Sequence, residues 1–129
     1  MVFVRSSTTG KPVWSNYWPG SGADSDYPVK AFLYDDPNQL FRIATSNVVA
    51  AANTEAEIRA AVFANIALAT GNSGSTSTGL SSATADLNTI NTTNTLALRI
   101  MGILDDPSNS DFTSAGIPLI VRINNHFNA

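Results

Sequence analysis

The groups in this chain that could do acid–base, nucleophilic or metal chemistry are few: ten carboxylates, one histidine and no cysteine. Two adjacent carboxylate pairs stand out, Asp35-Asp36 and Asp105-Asp106, each followed by proline. Paired carboxylates can share a proton or hold a cation. In a turn ahead of proline, however, an aspartate accepts a hydrogen bond from its own backbone two residues on, and that bond alone accounts for the residue type. The oxygen-rich run Asp105, Asp106, Ser108, Asn109 and Asp111 has the ligand chemistry for calcium but lacks the glycine and terminal glutamate of the EF-hand spacing. His126 has no Gly-x-Ser-x-Gly elbow to serve and no cysteine or second histidine to share a zinc with. It reads as a packed or hydrogen-bonded end to the last strand. The loop Gly71 to Gly79 contains no lysine, so it is not a P-loop. The sequence therefore assigns no catalytic residue, no cofactor and no metal ligand.

Trp14, Tyr17 and Trp18 make up the other cluster with chemical potential. Such rings can stack on sugars or bases, but in a β-rich chain they more commonly fill a core or a subunit interface. A net charge of −3 leaves no basic stripe for phosphates, which excludes a nucleic-acid partner. The candidate interface residues are these three aromatics with Thr76, Thr78 and Leu80 of the small-residue loop.

The elements that must position these residues can be read from pattern. Val2 to Val4 and Val13 to Trp18 are strand-like, separated by the turn Thr9 to Pro12. Ala31 to Thr45 reads as a hairpin, with arms Val29 to Tyr34 and Gln39 to Thr45 folded across the Asp-Asp-Pro-Asn corner. In its second arm Leu40, Arg42 and Ala44 face one way and Phe41, Ile43 and Thr45 the other. Thr54-Glu55-Ala56-Glu57 is a capping box opening a helix from Glu55 to about Ala64. Ile66 to Ala69 leans to strand, Leu80 to Leu87 to extended chain, and Asn88 to Thr95 to a polar connector. Leu96 to Leu104 is the expected central strand, and Ile117 to Ile123 the last. The fold expected is a single mainly β domain over residues 1–129, a small barrel or sandwich with one short helix.

Only 13% of residues are charged, about half the proportion of an average domain. Serine, threonine and asparagine, 14, 13 and 13 in number, supply the polar surface instead. A surface so poor in charge suits a protein packed against neighbours. The most apolar run, Ile58 to Ala69, is broken by Arg59 and Asn65 and is too short to span a bilayer, so no membrane partner is expected.

Taken together, these motifs resemble the structural cement or capsid decoration proteins that tailed phages encode beside the major capsid protein. The resemblance is carried by Phe32-Leu33-Tyr34-Asp35-Asp36-Pro37-Asn38-Gln39-Leu40-Phe41-Arg42-Ile43, then a short helix. It continues through Thr78-Gly79-Leu80-Ser81 at the end of the small-residue loop, the leucine-rich strand, and Val121-Arg122-Ile123-Asn124-Asn125-His126. It covers roughly residues 28 to 127, and relatives usually carry a longer segment before the point where this chain starts. It implies a virion protein, assembled in the host cytoplasm, that binds the outer face of the capsid as a homo-oligomer, commonly a trimer, and staples neighbouring major capsid protein subunits. The rival expectation is a carbohydrate-binding β module of a phage fibre or surface protein, built on Trp14, Tyr17 and Trp18.

Overall fold

A computed structural model describes residues 1–47, 52–71, 73–108 and 111–126. The chain divides into two compact units, Met1–Tyr34 with Ser73–Ser82, and Asp35–Asn72 with Ala83–Ala129. The architecture is mainly β, as the sequence predicts: the described residues form two antiparallel sheets, one short α-helix and a single 3-10 turn at Gly20–Gly22. Neither sheet closes into a barrel.

The first unit holds a three-stranded sheet in the order β2 (Pro12–Ser15), β1 (Val2–Arg5), β3 (Lys30–Ala31). The β1–β2 turn is where the sequence puts it. Gly10 takes φ 66°, a value that glycine reaches without strain, and its amide donates to the Ser6 carbonyl. Strand β2 ends at Ser15, so Tyr17 and Trp18 lie beyond the ladder that the aromatic run suggests. Val4 is the unit's one buried apolar side chain among the described residues.

The second unit carries the hydrophobic core. Its five-stranded sheet runs β4 (Leu40–Ala44), β8 (Pro118–Ile123), β7 (Leu98–Ile103), β5 (Asn65–Leu68), β6 (Ala85–Asn91). The apolar run expected at the centre is β7, which sits in the middle of the sheet. Ile100, Leu119 and Val121 are buried with Ile58, Ile66, Leu87 and Ile117, and Phe41 and Ile43 pack against them from β4. The two edge strands approach at one end only, through a parallel bridge between Thr45 and Ala85. Pro118 opens β8 opposite Ala44, at the start of a strand, where a missing amide is tolerated.

Helix α1 (Glu55–Ala60) opens on the expected capping box, with Thr54 Oγ1 accepting from the Glu57 amide and the Glu57 carboxylate accepting from the Thr54 amide. It ends earlier than predicted. After Ala61 the chain turns, and Phe63 enters the left-handed region at φ 73° with its amide donating to Ile100 O at 2.8 Å. Committing that amide to β7 stops the helix.

The predicted hairpin is not formed. Its first arm contributes only β3, which pairs with β1, while its second arm is β4, which pairs with β8 along five residues. The corner itself turns as expected: Asp36 Oδ1 accepts from the Asn38 amide at 2.8 Å, and Asp36 O from the Gln39 amide at 3.0 Å. The turn chemistry was local and correct. Burial accompanies the pairing that forms instead: Phe41 stands across from Val121 and Ile43 across from Leu119, with Val121 and Leu119 both buried in the core. Strand β6 also lies later than expected and absorbs Asn88 to Asn91 of the predicted connector.

Candidate interaction surface

The first unit turns most of its large apolar side chains outward. Strand pairing sets Trp14 directly across from Phe3, their rings 4.9 Å apart, and Phe32 joins Trp14 at 5.4 Å. Trp14 remains 58% exposed, Trp18 62% and Leu33 82%, with Tyr17, Tyr27, Phe32 and Tyr34 also exposed. Arg5 lies 3.9 Å above the Tyr27 ring and bonds the Gly10 carbonyl through Nε at 2.7 Å, which fixes one end of the aromatic face.

The loop Ser73 to Ser82 belongs to the same unit and is shaped by its own hydrogen bonds. The Ser75 amide donates to Leu80 O at 2.9 Å, the Gly79 amide to Ser75 O at 2.8 Å, and the Ser82 hydroxyl to Ser73 O. Its composition alone suggests a flexible segment; these bonds give it a defined turn. Gly79 is required there. Its φ is 69°, and a Cβ at that position would stand 2.5 Å from the Asn16 Cβ.

That close approach forms two adjoining recesses. One, of about 370 Å³, is lined by Trp14, Tyr17, Thr76 and Thr78 with Ser15 and Asn16. The other, of about 340 Å³, is lined by Tyr17, Trp18, Thr76 and Leu80. All six candidate interface residues are thus brought together, although about 60 positions separate the aromatics from the loop. Sequence reasoning missed Phe3 and Phe32. The period of two along β1 and β2 carried a signal for Phe3, because residues opposed in a hairpin share a face. Nothing local marks Phe32.

The second aspartate of each acidic pair, Asp36 and Asp106, is a turn former. Asp106 Oδ1 accepts from the Ser108 amide and hydroxyl at 3.0 and 2.5 Å, and Asp106 Oδ2 meets Arg42 at 2.7 Å. Asp111 accepts from the Thr113 amide and hydroxyl and from the Ser114 hydroxyl. The Ser108 hydroxyl, then its amide and the Arg42 guanidinium, hold Asp106 below the usual carboxylate range. The Thr113 and Ser114 hydroxyls do the same for Asp111, and the Thr54 hydroxyl, then the Asn53 amide, for Glu57. Asn109, named with the calcium reading, lies outside the described residues. Among the described residues no three His, Asp or Glu side chains converge. His126 Nε2 lies 3.8 Å from Asp35 Oδ1 with its side chain 9% exposed, the packed end of the last strand that the sequence predicts. No helix among the described residues is long and apolar enough to cross a membrane. Comparison with family models, curated proteins and solved structures finds no match to this chain.

Proposed function

We propose that this chain is a virion structural protein that decorates a tailed-phage capsid. In this reading it acts as a homo-oligomer, stabilising the shell by binding across neighbouring major capsid protein subunits. One observation carries the reading. The first unit buries a single apolar side chain, Val4, yet exposes the paired rings of Trp14 and Phe32 and, next in the chain, Leu33 and Tyr34. A unit built this way stabilises itself by covering that surface with another chain, since extended exposed apolar patches mark interaction sites. The ordered motif set from the Asp-Asp-Pro-Asn corner to Ile-Asn-Asn-His supports the capsid as the partner. Avidity supplies the strength: several modest contacts made at once, at fixed spacing, hold where each alone would not. No bond is made or broken in this role.

Electron microscopy of heads assembled with and without the protein tests the reading. Surface density should vanish without it, and the bare heads should lose integrity at a lower temperature. Heads of equal density and heat resistance would refute it.

A second reading, a carbohydrate-binding module, is favoured by the recess where Trp14 and Tyr17 stand beside the hydroxyls of Ser15, Thr76 and Thr78 and the Asn16 amide. Aromatic faces next to hydroxyl and amide groups suit a sugar ring. Trp14→Ala and Trp18→Ala should then abolish retention on a glycan array while the circular dichroism spectrum is kept. Retention unchanged by both substitutions excludes it.

A further inference from the structure

The face of the five-stranded sheet turned from the core carries a row with one residue from each strand: Leu40, Arg122, Arg99, Asn65 and Asn91, paired in that order. Alternation puts Ile100 and Val121 in the core and their neighbours Arg99 and Arg122 on this opposite face, where the two arginines stand directly across from one another. Like charges so opposed destabilise a sheet. The other arginines have carboxylates: Arg5 has Asp24 at 3.8 Å, Arg42 has Asp106 at 2.7 Å and Arg59 has Glu55 at 2.5 Å. Among the described residues no carboxylate forms an ion pair with Arg99 or Arg122.

Three further features mark the place. The Nε atoms of both arginines are buried and meet no acceptor. Asn65 donates its amide to Thr92 O and Thr93 O at 3.2 and 2.9 Å, while its buried Oδ1 meets no donor. Phe63 stands with its ring centroid 5.8 Å from the Arg99 guanidinium carbon. It keeps the left-handed backbone that a bulky side chain rarely adopts, yet is 61% exposed, so no burial offsets that strain.

We propose that this row is a recognition site for an acidic side chain of a neighbouring polypeptide, its carboxylate held by Arg99 and Arg122 between apolar flanks at Phe63 and Leu40. The planar guanidinium fork matches a carboxylate, and charge-assisted bonds of this kind are the strong ones. Phe63 and Leu40 are both exposed beside the arginines, an apolar surface that a free oxyanion leaves uncovered. A polypeptide brings apolar side chains beside its carboxylate and can cover both flanks. A nucleic-acid backbone is disfavoured, because two arginines on a chain of net charge −3 neutralise too few phosphates. The site deepens the interface reading by naming the chemistry the neighbour presents. It rests on that reading only for who the neighbour is.

The test follows the arginine Nε–Hε resonances by NMR in the full chain. The probe is N-acetyl-aspartyl-leucine amide, a carboxylate beside an apolar side chain, with inorganic phosphate as the competing arm. The dipeptide mimic should shift the Arg99 and Arg122 resonances saturably, and phosphate at least about tenfold more weakly. Arg99→Lys and Arg122→Lys keep the charge and lose the fork, so each should weaken the mimic at least about tenfold, the effect of losing one charge-assisted hydrogen bond. Arg42→Lys, beside its own partner Asp106, should change nothing. Absence of any shift, phosphate binding as tightly as the mimic, or lysine variants binding as tightly as the parent would each overturn the proposal. Sedimentation equilibrium then identifies the source. A parent oligomer that dissociates on either lysine substitution assigns the carboxylate to a second copy; an unchanged mass with loss of the mimic assigns it to a different protein. None of these measurements involves phage heads, so failure here and failure of the decoration reading are separable.

Discussion

Asp106, Asp111 and Glu57 each accept from hydroxyl and amide donors within four residues in the chain, Asp106 from Arg42 as well, and this makes the second unit sensitive to acid. Each carboxyl is held below its ordinary range in the folded chain, so the unfolded chain binds these protons more readily. Their stabilising effect is full above the unfolded values, roughly pH 4 to 4.5, and is lost as the pH falls through the lowered folded values. Urea midpoints should therefore be level from pH 7 to 5 and fall from pH 4 to 3. Ser108→Ala should lessen the fall, since it removes the largest cause for Asp106. A midpoint that climbs on acidification would contradict this account. At this scale the sequence was readable, because an aspartate followed by a small hydroxyl residue bonds locally whatever the fold around it. Arg99 and Arg122 were not readable. Their pairing depends on the register of two strands, and a shift of one residue would part them.

Helix α1 has six residues, too few to persist in water on nucleation grounds, so its packing must hold it. Ile58 is its one buried side chain and is fully enclosed in the core. Ile58→Ala should cost about 2–5 kcal/mol, the range for emptying a buried aliphatic site. A thermal or urea midpoint that moves by less than the equivalent of about 1 kcal/mol would mean that the core collapses into the space. The capping box made the start of this helix legible. Its end was not, because what stops it is a hydrogen bond from Phe63 to Ile100, 37 positions away. The hairpin failed for the same kind of reason. The corner at Asp36 is local, whereas the pairing of β4 with β8 is non-local, and no window of the sequence contains it. Strands β7 and β8 were legible because their apolar runs have only one place to go.

At the scale of the whole molecule, the described buried core lies almost entirely in one unit. The second unit holds the buried apolar cluster, and the first holds Val4. Local stability follows burial, so amides of β1 and β2 should exchange with solvent far faster than those of β7 and β8 in the isolated chain. Protection of β1 and β2 should rise sharply once the aromatic surface is covered by a partner. Equal protection of both sheets in the free chain would show that the first unit is stable without one. The aromatic side of this surface was visible in the sequence as Trp14, Tyr17 and Trp18, and its loop side as the glycine- and serine-rich stretch. That the two meet was not, because the contact joins residues far apart in the chain and is set by the space that Gly79 leaves at Asn16.

The same separation has a consequence in time. A chain emerging from the ribosome presents Trp14 and Trp18 well before Ser73 to Ser82 exist, since some 50 residues must be added in between. At roughly 5–20 residues per second, that leaves the tryptophans without the loop that lines their recesses for several seconds of synthesis. The interval is long enough for a nascent-chain chaperone to bind the bare aromatics, and long enough for neighbouring nascent chains on one message to find each other through them.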